Sequence, residues 1–179
     1  MILAMILTAA ALTVFAIGAV VYFHLKKTEQ QKYMAAAGNI LREDYLNYSL
    51  QNTINPQNLA EKPKSKKIMI YIKSKSDGSK LRYVFDPEKT VLFGRSSTEC
   101  NVFINNAAVS QKHCRIYVSD NAVWLQDVGS SNGTVVKRGL TKRYTLSGGY
   151  QIVLESGDRI CIGDYCFKVR LFLFDLMTD

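Results

Sequence analysis

A run of residues without a single charge, residues 2–23, constrains this chain more than any other feature. It consists mostly of Ile, Leu, Ala, Val and Phe. At about 1.5 Å per helical residue, such a run is long enough to cross the roughly 30 Å hydrocarbon core of a bilayer. The run therefore predicts a transmembrane anchor over residues 1–25.

A cleaved signal peptide is the competing interpretation of this run, and three features oppose it. No Lys or Arg precedes the run, it exceeds the usual length of about 7–15 residues, and no clear small-x-small site follows it. Lys26 and Lys27 follow directly, so the positive-inside rule predicts a cytoplasmic C-terminal domain and an external N-terminus, as in a single-pass protein of a bacterial cell membrane. Small residues in the run would permit helix pairing, but nothing else supports a homo-oligomer.

Residues 26–67 join the anchor to the rest of the chain and contain two kinds of sequence. From Thr28 to Leu50 there is no proline, and apolar residues recur three or four apart, which predicts an amphipathic helix. This helix could continue the membrane helix, lie on the bilayer surface or pair with a partner helix. From Gln51 to Lys67, prolines and polar residues predict a flexible linker that lets the following domain move.

The net charge of +8 divides evenly along the 179 residues. Residues 1–67 hold 8 Lys and Arg against 4 Asp and Glu, and residues 68–179 hold 15 against 11. The modest positive charge of residues 68–179 suits a small anionic ligand better than a nucleic-acid backbone. Because no aromatic-basic stripe is visible along a strand pair, no nucleic-acid partner is expected.

Four cysteines lie in the second half of the chain: Cys100, Cys114, Cys161 and Cys166. None forms a C-x-x-C pair and the only nearby histidine is His113, so neither a metal nor a cofactor is expected. Three of the cysteines lie in apolar strand-like runs, where a free thiol behaves as a small hydrophobe. Free thiols fit a reducing compartment, although the even number would permit two disulfides if the topology were inverted.

The sequence pattern of residues 68–179 predicts one all-β domain. Ten short segments rich in β-branched and aromatic residues alternate with turn clusters, and no ten-residue helical pattern interrupts them. Ten or eleven short strands of this kind predict a β-sandwich. The predicted strands are Ile68–Lys73, Leu81–Asp86, Thr90–Phe93, Asn101–Ile104, Cys114–Val118, Val123–Asp127, Thr134–Lys137, Tyr150–Leu154, Arg159–Ile162 and Tyr165–Phe174.

Three polar clusters between these segments could supply one site from the rim of the sandwich. They are Gly94-Arg95, Ser110-Gln111-Lys112-His113 and Gly129-Ser130-Ser131-Asn132-Gly133-Thr134. An arginine can donate two parallel hydrogen bonds to phosphate oxygens. A serine hydroxyl and an asparagine amide can complete such a site without a competing charge.

In this order, Gly94-Arg95, Ser110-x-x-His113 and Ser131-Asn132-Gly133-Thr134 resemble the forkhead-associated (FHA) domain, a module that reads phosphothreonine. The resemblance extends from about Ile68 to Asp175, and it implies an FHA-like sandwich of about 10–11 strands. It also implies that Arg95 and Ser110 hold the phosphate and that Asn132 bonds the peptide backbone.

The resemblance divides the motif residues into two groups. The residues that would contact the phosphopeptide are Arg95, Ser110, Gln111, Ser131 and Asn132. The residues that would support the site are Gly94, His113, Gly133 and Thr134. Where an asparagine often follows in the family, this chain has Lys137-Arg138-Gly139, which would add a basic contact for acidic residues near the phosphothreonine.

The predicted activity is capture without catalysis. Ser110, His113 and Asp127 have the residue types of a hydrolase triad, but the chain has no G-x-S-x-G elbow, so no enzymatic activity and no catalytic residue is expected. The sequence predicts a membrane-anchored adaptor that recruits partners phosphorylated by a Ser/Thr kinase. The alternative is a phosphorylation-independent scaffold in a membrane complex for cell wall, division or secretion.

Overall fold

The computed structural model describes residues 2–54, 61–76 and 79–177, in which one long helix precedes eleven strands. The helix is α1 (Ile2–Ile54), and a short 3-10 helix spans Pro87–Lys89. The strands are β1 (Lys66–Ser76), β2 (Ser79–Phe85), β3 (Val91–Gly94), β4 (Val102–Phe103), β5 (Cys114–Ser119), β6 (Ala122–Asp127), β7 (Thr134–Arg138), β8 (Lys142–Leu146), β9 (Gln151–Val153), β10 (Arg159–Ile162) and β11 (Tyr165–Asp175).

The strands form two sheets, which confirms the predicted sandwich. One sheet has the order β2-β1-β11-β10-β7-β8 and the other β4-β3-β5-β6-β9. Alternate residues of each strand face the core between the sheets, as Ile70 and Ile72 do on β1. Phe93 and Phe167, one from each sheet, meet edge to face with ring centroids 5.7 Å apart. The core thus fixes the two sheets against each other and holds their connecting loops at the rim.

Strand β8 is the strand that the sequence pattern did not reveal. Its alternation is short, because only Tyr144 and Leu146 turn toward the core while Lys142 and Arg143 are exposed. It pairs with β7 along its whole length, from Thr134 opposite Leu146 to Arg138 opposite Lys142. Pairing with a neighbouring strand, rather than local sequence, therefore establishes β8.

The apolar run and the predicted amphipathic segment form the single helix α1, the first of the three arrangements that the sequence left open. By length and composition, α1 is apolar enough to cross a membrane. The chain divides into two compact units, Met1–Ala36 and Ala37–Asp179, and the second contains the end of α1 together with the sandwich.

Within the second unit, the end of α1 packs on the sandwich. Ala37 and Leu41 are buried, and a Cβ atom on Gly38 would lie 3.3 Å from Cζ of Phe174, so the glycine lets this ring approach the helix closely. The linker predicted from Gln51 to Lys67 begins inside α1, ends inside β1, and lies partly outside the described residues. The part of α1 from Ala37 onward therefore belongs to the same compact unit as the strands.

Charged side chains fasten the same part of α1 to β1 and the 3-10 helix. The buried Lys67 Nζ lies 2.7 Å from Oδ2 of Asp86, 3.1 Å from Oε2 of Glu88 and 3.7 Å from Oδ2 of Asp44. Lys89 also bonds Asp44. Burial disfavours the charged form of Lys67, but the hydrogen bonds and charges of Asp86 and Glu88 outweigh it and raise its pKa.

A disulfide joins Cys161 and Cys166, so the expectation of free thiols is wrong for this pair. The two residues are directly opposite in the β10–β11 hairpin, with Cα atoms 4.1 Å apart. Cys100 and Cys114 are free. The spacing of five residues around a tight turn was the signal, but only the register of the hairpin puts the two sulfur atoms side by side.

Replacing Lys67 tests the charged cluster. Lys67→Ala leaves the buried Asp86 carboxylate without its cation, so we expect the free energy of unfolding to fall by about 3 kcal/mol. Urea denaturation of the purified chain in detergent measures this quantity. Lys112→Ala is the control, because it removes only the exposed ion pair between Lys112 and Glu99. Equal and small effects of the two substitutions would contradict the expectation.

Candidate functional site

Three loops carry the polar clusters, and hydrogen bonds join them at one rim of the sandwich. The backbone N–H of Arg95, after β3, donates to the Ser110 carbonyl oxygen at 2.9 Å. The N–H of Ser131, between β6 and β7, donates to Oγ of Ser110 at 3.1 Å. Asn132 Nδ2 donates to the Ala108 carbonyl oxygen at 2.7 Å. Arg95, Ser110, Ser131 and Asn132 therefore lie in one place.

Arg95 presents an exposed positive charge at this rim. Its Nε donates to the Val109 carbonyl oxygen at 3.1 Å, which orients the guanidinium group. No carboxylate among the residues that the structure describes forms an ion pair with it. Because a guanidinium group has five N–H donors, the donors other than the Nε–H remain to bind an anion.

Gly94 allows the first two loops to approach each other. A Cβ atom at this position would lie 2.1 Å from the backbone oxygen of Gln111, which no side chain could tolerate. The same oxygen accepts hydrogen bonds from the Ser96 N–H at 3.1 Å and from Cys100 Sγ at 3.2 Å. The Gln111 side chain itself is exposed beside the cluster.

His113 is fully buried beneath the loops and bonds two of them. Its Nδ1 accepts the Ser110 N–H at 3.2 Å, and its Nε2 lies 3.1 Å from the Gly133 carbonyl oxygen. Since Nδ1 is an acceptor, the proton belongs on Nε2, which donates to Gly133. Gly133 has φ +73°, and a Cβ there would lie 2.9 Å from the Leu146 backbone oxygen, so glycine is required.

Asp127 organises the third loop, a role that the sequence did not suggest. Its buried carboxylate accepts hydrogen bonds from the N–H groups of Gly129 and Ser130 at 3.0 and 2.9 Å, and from Ser130 Oγ and Thr134 Oγ1 at 2.6 and 2.8 Å. Burial alone would raise its pKa, but the bonds from Ser130, Thr134 and Gly129 outweigh burial and lower it. An aspartate two residues before the Gly129-Ser130 turn is the available signal.

Ser110, His113 and Asp127 have the residue types of a hydrolase triad, but they are not arranged as one. Both nitrogens of His113 bond backbone groups, of Ser110 and Gly133, so neither nitrogen takes the Ser110 hydroxyl proton. The Asp127 carboxylate bonds Ser130 and Thr134 instead of the imidazole. The arrangement positions loops and does not activate a nucleophile.

Two basic residues near the motifs already have anionic partners. Arg138 donates to both carboxylate oxygens of Asp158, at 2.9 and 2.8 Å, and to Oε1 of Glu155 at 2.5 Å. Lys112 Nζ lies 2.6 Å from Oε1 of Glu99. Arg138, at the end of β7, is thus bound to the loop between β9 and β10.

Comparison with known proteins agrees with this geometry. The family model of the FHA domain matches residues 91–163. An FHA domain-containing protein of Arabidopsis thaliana is 32% identical over 108 residues, which cover 60% of this chain and 26% of the relative. The chain thus spans about a quarter of the length of that relative.

Two solved structures are similar to the sandwich. The FHA domain of a Chlamydia trachomatis protein is 20% identical with a TM-score of 0.46, and the match covers 57% of this chain and 96% of that one. EmbR of Mycobacterium tuberculosis, solved with a low-affinity phosphopeptide, is 22% identical with a TM-score of 0.45, covering 57% of this chain and 24% of EmbR.

The chain therefore contains an FHA domain. FHA domains are binding modules that recognise phosphothreonine peptides. In this chain, the motif residues of such a module lie on three loops that buried polar groups hold together.

Replacing Asp127 tests how the third loop is held. Asp127→Asn removes the charge that four hydrogen bonds stabilise, so the free energy of unfolding at pH 7 should fall by about 2 kcal/mol. Because the folded-state pKa of Asp127 is lowered, its contribution is present above the unfolded value of about 4 and is lost as pH falls through the folded value. Unfolding measured from pH 7 down to about pH 3 should show the two chains converging; a constant difference would refute this role.

Proposed function

We propose that this chain is a membrane-anchored adaptor that binds phosphothreonine peptides of proteins phosphorylated by a Ser/Thr kinase. One observation carries the proposal: a guanidinium, a hydroxyl and a carboxamide, from Arg95, Ser110 and Asn132, lie together at one exposed rim. No carboxylate among the described residues pairs with the Arg95 guanidinium group, so an external anion can bind there.

The phosphate would be held by Arg95 and Ser110. A phosphothreonine carries a charge of about −2 and three acceptor oxygens. Ser110 Oγ already accepts the Ser131 N–H, so its own hydroxyl proton remains to be donated to a phosphate oxygen. Gln111, whose side chain is exposed, would donate to the phosphate or the peptide.

The rest of the peptide would be recognised by the third loop. Asn132, held by its bond to Ala108, would bond the peptide backbone. Ser131 would shape the space for the threonine methyl group, whose burial contributes about 0.8 kcal/mol and would favour phosphothreonine over phosphoserine. Gly94, His113, Gly133 and Thr134 would act indirectly, by holding the loops in place.

A membrane anchor makes a modest affinity sufficient. The apolar part of α1 would confine the domain to the bilayer, which raises the effective concentration of partners at the same surface. A single dianion on a short peptide then suffices to recruit a partner.

Peptide titration of the full chain in lipid nanodiscs tests the proposal. Arg95→Ala should weaken binding of a degenerate phosphothreonine peptide library by about 100-fold, because charge-assisted hydrogen bonds are lost. Arg115→Ala is the control, since Arg115 is exposed on β5 and bonds Gln126. Equal binding of phosphorylated and plain peptides would reject phosphate recognition and favour the alternative scaffold.

We further propose that the domain lies in the cytoplasm, where Ser/Thr kinases supply the phosphate. Lys26 and Lys27 directly after the apolar run support this orientation. The Cys161–Cys166 disulfide counts against it, because structural disulfides persist mainly in oxidising compartments. In the cytoplasm these two residues would be a reduced pair.

Thiol labelling of a new cysteine at the exposed Thr141 decides the orientation. With the four native cysteines replaced by alanine in every variant, Thr141→Cys should react with a membrane-impermeant maleimide in inside-out vesicles and remain unlabelled in intact cells. Leu12→Cys, inside the apolar run, is the control that should resist labelling in both preparations. Labelling of Thr141→Cys in intact cells would place the domain outside and remove its access to cytoplasmic kinase substrates.

A further inference from the structure

A continuous row of basic side chains crosses the outer face of the six-stranded sheet. Consecutive strands contribute one residue each, and each residue is directly opposite the next in the strand register. We call this set the basic row. In spatial order, its members are Arg82 on β2, Lys73 on β1, Lys168 on β11, Arg159 on β10, Lys137 on β7 and Arg143 on β8.

The basic row lies on the face opposite the core. Its members alternate with core residues on their own strands, as Lys168 does with Phe167 and Val169, and Arg159 with Ile160. Neighbouring strands are about 4.8 Å apart, so the row spans about 24 Å. It is thus as wide as the sheet itself.

The charge of the basic row is not neutralised across much of its length. Lys137, Arg143, Arg159 and Lys168 are exposed, and none forms an ion pair within the described parts of the chain. On the described strands of this sheet, the residues that face outward with the row include no Asp or Glu. Like charges directly opposite on neighbouring strands repel each other, so the row destabilises the sheet unless an anionic surface faces it.

We propose that the basic row docks the domain on the anionic lipid headgroups of the membrane that holds α1. This proposal rests on the proposed membrane anchor. Only residues 24–36 separate the apolar run from the compact unit that begins at Ala37, and as part of helix α1 they span about 20 Å. The bilayer surface is therefore the extended anion that this face meets at the highest local concentration.

The residue types around the row suit a bilayer better than a nucleic acid. The row exposes Lys and Arg without an exposed aromatic side chain among them, whereas single strands are held by bases stacked on aromatic rings. The three loops of the proposed peptide site lie at the rim of the sandwich. Docking through the outer face of the sheet therefore uses residues that the proposed peptide site does not need.

Energy transfer in nanodiscs tests the docking. Trp124 on β6, the single tryptophan of the chain, is the donor, and dansyl groups on the lipid headgroups are the acceptors. The full chain is inserted in discs of phosphatidylcholine alone or with about 30% phosphatidylglycerol. We expect greater transfer in the anionic discs, and loss of the increase in about 1 M NaCl, where the screening length falls to about 3 Å.

Two double variants with the same change in charge separate the basic row from net charge. Arg159→Gln with Lys168→Gln, at the centre of the row, should abolish the increase in transfer. Lys112→Gln with Arg115→Gln, on or next to the other sheet, should retain it. Circular dichroism verifies that both variants fold.

Three results would overturn the proposal. The first is equal energy transfer in the two kinds of disc, and the second is an equal loss of transfer in the two double variants. The third is binding of a DNA oligonucleotide that the Arg159 and Lys168 variant loses, while its energy transfer to the lipid stays unchanged. Failure of the membrane anchor would appear separately, because the chain would then not purify with the discs. Failure of phosphopeptide binding would leave the energy transfer unchanged.

Discussion

The site depends on two buried polar side chains that satisfy the backbone of the loops above them. His113 joins the Ser110 loop to Gly133, and Asp127 holds Ser130 and the start of β7. A buried imidazole or carboxylate is costly unless its hydrogen bonds are complete. These two are complete only when the loops adopt the arrangement observed, so the same bonds that stabilise the core also hold the loops of Ser110 and Asn132 together.

Different surfaces of the sandwich carry different chemistry. The rim has neutral polar groups around one arginine, which suits a small dianion. The outer face of the six-stranded sheet carries the basic row, to which every strand contributes one cation, and this suits an extended anionic surface. Near Lys67 the same face becomes apolar, with Met69 and Phe174 buried, and the end of α1 packs there. A sandwich can divide its surface in this way because the pleat separates the two faces of every strand.

The end of α1 belongs to the domain and not to a free tether. Lys67 is the centre of this attachment, because three carboxylates surround one buried ammonium group. Removing water from a single charge is unfavourable, and only several partners compensate for it. Residues from Ala37 onward therefore form one compact unit with the β-strands.

The sequence by itself determined the features that neighbouring residues encode. The uncharged run predicted a long helix, alternating apolar residues predicted ten of the strands, and Gly94-Arg95, Ser110 and Asn132 predicted the family. Tertiary structure alone decided the features that depend on strand register: β8, the Cys161–Cys166 bond and the basic row. Strand β8 lacks a local pattern and the members of the basic row are far apart in the chain, whereas Cys161 and Cys166 are five residues apart but are brought side by side only by the register of their hairpin. The basic row has one residue per strand, so no stretch of sequence contains it, and only the order in which the strands pair brings its charges into line.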